Sequence, residues 1–387
     1  MTYAAGRRLL DADSHIMELP GFLAEHADPA LRDRLPAISF SAGGKMGRAL
    51  ERLAATKSHD PEKVAAMVAL GDGLIAGPKG YEALGAFSSS ERSQALDQLG
   101  FERQLVFSSF SPGVVFSDRL DPELVYGGCR AHNRAMAEFC AADERLLGVA
   151  AISLDDPDRA VAEFEAVLAE GHGAVWVPHR SAGGRSPGHS DLDPFWARLA
   201  EAGVPFVLHV GGGPIQIQQD WMNTGRPVPT DWLGGGENVR SKDMISLHHD
   251  AEKFIGTMVL DGVLERHPKL RGAVVELGAA WVPALVRRLD QIAEIWRRSE
   301  PELAALQTRP SEQLIGRVGF TPYPFEDVGA MIRDSDDRLY LFSSDYPHME
   351  GGRNPLGRFD QSLAGLGPET ISRFYFDNFA TVVGAGS

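Results

Sequence analysis

The stretch Leu341-Phe342-Ser343-Ser344-Asp345-Tyr346-Pro347-His348 decides the fold. A short apolar run breaks into an acid, and an imidazole follows three positions later. A strand that delivers an acid and an imidazole at its carboxyl end is how a barrel enzyme builds a metal site. The same design recurs near the N-terminus in Leu9-Leu10-Asp11-Ala12-Asp13-Ser14-His15 and mid-chain in Val204-Pro205-Phe206-Val207-Leu208-His209.

Working outward from these runs, short β-rich segments alternate with helical periodicity along most of the chain. Strands are expected at Arg8 to Asp13, Gln104 to Phe110, Leu147 to Leu154, Ala174 to His179, Phe206 to Val210, Ala273 to Leu277, Arg317 to Thr321 and Leu339 to Ser343. The clearest helix is Asp156 to Glu170, with Pro157 suited to its first turn and Gly171 to a left-handed cap. Asp193, Pro194 and Gly203 repeat that grammar, and Asp121 to Leu146, Trp281 to Arg298 and Pro368 to Val383 are also helical in pattern. Repeated βα units favour a parallel sheet, and eight of them favour closure. The expected class is α/β: a (β/α)8 TIM barrel forming one domain over 1–387. Long insertions, about residues 20–90 and 211–245, follow strands 1 and 5 and should act as lids or subunit contacts. The competitor, an open doubly wound sheet, lacks its Gly-x-Gly-x-x-Gly turn.

Composition narrows the function. Of 387 residues 43% are apolar, and no apolar run approaches the roughly 18–20 residues that span a bilayer. A net charge of -15 opposes nucleic acid and anionic membranes, so a small-molecule substrate is the expected partner, with a homo-oligomer, for instance a homodimer, as the assembly. Cys129 and Cys140 lie too far apart along one helix to pair, which fits a reducing cytoplasm. The N-terminal segment lacks the apolar core of a secretory signal.

Side chains two apart on an extended strand point the same way, so Asp13 and His15 can reach a single ion. His209 and Asp345 complete the expected ligand set, which suits a divalent Zn, Mn or Fe ion. Asp11 reads as structural support, and Glu18 as an open candidate. Glu276, at the end of Ala273-Val274-Val275-Glu276, is either a ligand or a cap for the helix near Trp281. With one of His248 or His249 it would bind a second ion bridged by Asp13. Asp345, His348 and Glu276 are the candidate catalytic groups, and His179 and Trp221 the candidate substrate contacts. No Gly-x-Ser-x-Gly elbow supports serine chemistry.

These motifs resemble the amidohydrolase-related TIM-barrel family that includes aminocarboxymuconate-semialdehyde decarboxylase and the resorcylate decarboxylases. The resemblance rests on Asp11-Ala12-Asp13-Ser14-His15, Phe195-Trp196, Leu264-Glu265-Arg266-His267-Pro268-Lys269-Leu270, Glu276-Leu277-Gly278-Ala279-Ala280-Trp281, Ser344-Asp345-Tyr346-Pro347-His348 and the closing Asn378. It implies a metal held by Asp13, His15, His209 and Asp345. Asp13 stands where many members have His, and Glu276 where the decarboxylases place a His that acts on substrate. Both departures add negative charge, compatible with Mn or Fe or with two ions. The first functional reading is hydrolysis of a small organic substrate by a metal-activated water. The alternatives are non-oxidative decarboxylation of an aromatic or unsaturated acid, and oxygen activation at a dinuclear Fe or Mn/Fe site.

Overall fold

The computed structural model describes residues 1–38, 45–215, 217–227 and 239–384. Seven strands, β1 (Leu10–Ile16), β2 (Arg103–Ser108), β3 (Leu146–Ala151), β4 (Ala174–Trp176), β5 (Phe206–His209), β6 (Gly272–Val275) and β7 (Val318–Phe320), lie in sequence order in one sheet. Every neighbouring pair is parallel. Parallel neighbours need crossovers, and helices such as Pro122–Cys140, Pro157–Glu170 and Asp193–Ala202 supply them.

The expected eighth strand is extended but irregular. It fills the seam between β7 and β1, where Phe320 N–H donates to Leu339 O (2.8 Å) and Leu341 N–H to Phe320 O (2.9 Å). On the other side Ala12 N–H donates to Phe342 O (3.0 Å) and Asp345 N–H to Asp13 O (2.9 Å). Regular pairing fails because other acceptors take its donors: Phe342 N–H goes to Phe374 O and Ser344 N–H to the Asp11 carboxylate. Local β-propensity cannot foresee acceptors brought in from distant segments.

The barrel interior is an apolar cluster built from one face of strands β1 to β6 and the last extended segment. Leu10, Ala12, Leu105, Phe107, Val149, Ala151, Ala174, Trp176, Val207, Ala273, Val275 and Leu341 belong to it. Phe376, Phe379 and Val382 join them from the C-terminal segment. That segment closes the amino-terminal mouth: Arg271, just before β6, donates to Thr381 O (2.7 Å), and the Arg8 guanidinium stacks 3.7 Å over Phe376. The opposite mouth, at the strands' carboxyl ends, is left for chemistry.

Asp156 caps its helix by accepting from Arg159 N–H, and Gly171 is left-handed, as the pattern predicts. Asp193 differs. It is the first helical residue and makes no cap, because its carboxylate accepts from Arg266 and His267. Parts of both long insertions, 39–44 and 228–238, lie outside the described residues. No described helix is long and apolar enough to cross a membrane.

Candidate metal centre

A bulge in β1 creates the site. The register runs Asp11 opposite Gln104, then Ser14 opposite Val106, so β1 carries one residue more than β2 across the same span. An extra residue reverses which face the following side chains take. Leu10 and Ala12 face the barrel interior, and beyond the bulge His15, paired with the interior residue Phe107, turns toward that same space. Asp11 thereby parts from Asp13 and His15. Its carboxylate accepts from Gln104 Nε2 (2.7 Å), Ser344 N–H (2.7 Å) and Ser344 Oγ (2.6 Å). Glu18 is likewise occupied by the N–H groups of Ser109, Phe110 and Ser111. Neither is free to bind an ion.

Four groups converge at the carboxyl mouth. Asp13 Oδ1 lies 3.2 Å from His15 Nε2 and 3.4 Å from His209 Nε2, while Glu276 Oε2 lies 3.6 and 3.1 Å from the same two nitrogens. His209 Nδ1 meets the Val210 carbonyl at 2.8 Å, and a carbonyl only accepts, so the proton is on Nδ1 and Nε2 presents its lone pair. A second, overlapping group joins His15 and Glu276 to Asp345 and His348. There His15 Nε2 lies 3.5 Å, and His348 Nδ1 3.1 Å, from Asp345 Oδ1. The rings of His15 and His348 stack at 3.8 Å.

Glu276 and Asp345 each follow a strand-like run with positive φ, 54° and 52°. That region is costly for residues with a Cβ and recurs where surrounding structure must aim a functional side chain. Glu276 is held by its N–H to Thr321 Oγ1 (3.0 Å) and its carbonyl to Tyr323 OH (2.6 Å). The helix that begins at Val282 has no side-chain cap, and the N–H groups of Ala279 and Ala280 just before it go to Glu326. Glu276 is thus released for the centre.

Charge is unevenly distributed. Burial alone would raise the Asp13 carboxyl, but the imidazoles of His15 and His209 hold it well below the usual carboxylate range. Burial and then the charge of Asp345 push the Glu276 carboxyl well up. Burial opposes protonation of His209, and the Asp13 carboxylate outweighs it, so its pKa rises.

Asp13 Oδ1, His209 Nε2, Glu276 Oε2, both Asp345 oxygens and His348 Nδ1 are buried with no hydrogen-bond partner among the described residues. Leaving so many polar atoms dry and unsatisfied is costly unless a cation takes their lone pairs. Neighbouring ligands around an ion with bonds of about 2.0–2.2 Å stand roughly 3 Å apart, close to the separations here. The mixed oxygen and nitrogen donors suit Zn, Mn or Fe. The chain therefore has buried groups able to hold a divalent metal ion.

The remaining expected residues fall elsewhere. His248 stacks on Trp281 (5.6 Å) with its Nε2 3.8 Å from Glu252, and His249 is exposed. Both lie outside the two clusters because the helix His249–Leu260 begins there and turns them aside. His179 is buried against Gly212 and Gly213, and burial lowers its pKa to about 4. Trp221 is 65% exposed. Sequence reasoning missed Glu350 and Tyr323, which line a small cavity with Asp13, Glu276 and Asp345. Tyr323 had a signal, the Thr321-Pro322-Tyr323-Pro324 turn after a strand. It also missed Ser109, whose hydroxyl meets His348 Nε2 at 2.7 Å.

A closed parallel α/β barrel with carboxylates and imidazoles gathered at its carboxyl mouth defines a metal-dependent barrel enzyme. The sequence model of the amidohydrolase family matches residues 84–382, and the chain belongs to that family. Among curated relatives, "Decarboxylase orsB" of Emericella nidulans is 24% identical over 261 residues, 66% of this chain and 73% of that protein. Gamma-resorcylate decarboxylase of Rhodococcus jostii is 30% identical over 171 residues, covering 42% of this chain and 48% of the relative. An amidohydrolase from Mycobacterium avium subsp. paratuberculosis shares the fold with a TM-score of 0.73 at 24% identity, covering 98% of this chain and all of that one. So does 5-carboxyvanillate decarboxylase of Novosphingobium aromaticivorans, solved with manganese and 4-hydroxy-3-methoxy-5-nitrobenzoic acid. Its TM-score is 0.63 at 16% identity, covering 98% and 96% of the two chains.

Proposed function

We propose that this chain is a metal-dependent, non-oxidative decarboxylase of a small aromatic acid with an oxygen substituent beside its carboxylate. The observation that carries this reading is a buried cluster of carboxylates and imidazoles in a chain whose two reported sequence relatives are both decarboxylases. Hydrolysis, the first reading of the sequence, has less support, since neither of those relatives is a hydrolase by name.

Losing carbon dioxide leaves an electron pair on a ring carbon, which must receive a proton. Asp13, His15, His209 and Glu276 would hold the ion, which when bound would supply Lewis acidity toward the carboxylate and the neighbouring oxygen. Asp345 Oδ2 has no partner among the described residues and is free to hold the proton and deliver it to carbon. His348 lies beside that carboxyl, its Nδ1 3.1 Å from Oδ1, and Ser109 anchors His348 at Nε2. Tyr323 and the prolines on either side of it line the small cavity beside Glu276 and Asp345. Thr321 and Tyr323 fix the Glu276 backbone.

The test is to load purified chain with Mn2+ and offer it hydroxybenzoic acids in D2O. The expected product is the decarboxylated phenol with one deuterium at the vacated carbon. Hydrolysis of ester, lactone or amide substrates with no release of carbon dioxide from any acid would reject the reading.

A further inference from the structure

The two donor groups overlap only through His15 and Glu276, which leaves Asp345 and His348 in a group that contains neither Asp13 nor His209. His348 is 1% exposed, and its Nδ1 is buried without a hydrogen-bond partner among the described residues. The Ser109 hydroxyl donates to the Ile16 carbonyl (2.9 Å) and therefore accepts from His348 Nε2–H. In the neutral ring that leaves the Nδ1 lone pair facing Asp345, the arrangement by which an outer partner prepares an imidazole for a metal. His209 is prepared in the same way by the Val210 carbonyl, but at its opposite nitrogen.

Charge points in the same direction. Asp13, Glu276, Asp345 and Glu350 line one small cavity, and the Glu350 Oε2 atom is itself buried without a partner. Lys79 is the buried ammonium whose charge acts on Asp345 and Glu350. Carboxyl groups crowded this closely repel one another unless cations lie between them, and burying uncompensated charge is what structures avoid. A carboxylate has two oxygens and can serve two ions, as in two-metal sites whose ions stand about 3.5–4 Å apart.

We propose that this chain binds two divalent cations side by side, one among Asp13, His15 and His209 and a second between Asp345 Oδ1 and His348 Nδ1, with the Glu276 carboxylate shared between them. Asp345 Oδ2 stays free for its proton. The inference takes from the proposed function only that the cluster binds metal, and it is independent of whether a substrate loses its carboxylate.

The experiment is a Mn2+ titration of the full chain followed by electron paramagnetic resonance, with bound metal counted after gel filtration. In the wild type the signal of isolated Mn2+ should grow to one equivalent and then fall as coupled pairs form, ending close to two ions per chain. His348→Ala, and separately the isosteric Asp345→Asn, should stop near one ion with an uncoupled signal. A wild-type signal that saturates at one equivalent without falling would overturn the proposal, as would two coupled ions retained in His348→Ala. The wild-type titration decides even where a variant does not fold. Two coupled ions in a chain that decarboxylates nothing would reject the proposed function and leave this inference standing. One ion in an active decarboxylase would do the reverse.

Discussion

The Asp11 carboxylate accepts both the N–H (2.7 Å) and the hydroxyl (2.6 Å) of Ser344, so one buried side chain of the first strand closes the barrel against its last segment. Asp13 lies two residues beyond Asp11, and Asp345 one beyond Ser344. The clamp therefore fixes the distance between two groups of the metal centre without touching it. Replacing Asp11 by Ala strands the Ser344 and Gln104 donors, and a buried donor left without its partner costs roughly 1–3 kcal/mol. Urea unfolding should show a loss of about 3 kcal/mol, with weaker Mn2+ retention. Unchanged stability and metal content would remove the clamp from the account.

His209→Ala should lower metal affinity by roughly two orders of magnitude or more, since supporting partners alone are worth about 10–100-fold. Metal content after dialysis against chelator is the measurement. A full complement in His209→Ala would contradict the ligand set.

Asp345→Asn keeps the shape of the side chain but removes the carboxylate that would hold the proton on Oδ2. Proton delivery by a positioned group contributes about 10²–10⁴-fold. Turnover should fall by roughly 10³-fold with the thermal midpoint little changed, and wild-type turnover in the variant would dismiss Asp345 as the proton carrier.

Stability should fall in acid because of His132. Burial lowers its pKa from 6.5 to about 4, with its nitrogens against Asn133 Oδ1 and Ser108 Oγ. The folded state thus favours the neutral ring, and the unfolded chain binds the extra proton first as pH drops. Its contribution is complete above about pH 6.5 and is lost as pH falls toward 4, roughly 3 kcal/mol at most. Unfolding free energies measured between pH 7 and 4 should slope less in His132→Gln than in the wild type. Equal slopes would assign the acid sensitivity to other groups.

Strand and helix alternation was legible because buried strands and amphipathic helices leave periods of their own along the chain. The placement of Asp13, His15, His209 and Asp345 at strand ends was legible for the same reason. The irregular last strand was not, because Asp11 and Phe374 take its donors from 333 and 32 residues away. His248 and His249 were misplaced as partners of Glu276 because helical spacing reveals which residues share a face but not which face looks inward.

The sequence by itself determined that this is a parallel α/β chain carrying carboxylates and imidazoles at the carboxyl ends of its strands, since both properties are written in local order. Only the tertiary structure decided which of them meet. A one-residue bulge turned Asp11 away from Asp13 and His15. Positive-φ turns aimed Glu276 and Asp345, and Glu326 took the N–H groups that precede the next helix. Those outcomes depend on contacts between segments from 45 to 333 residues apart in the chain, where ångström distances, not local pattern, decide which groups meet.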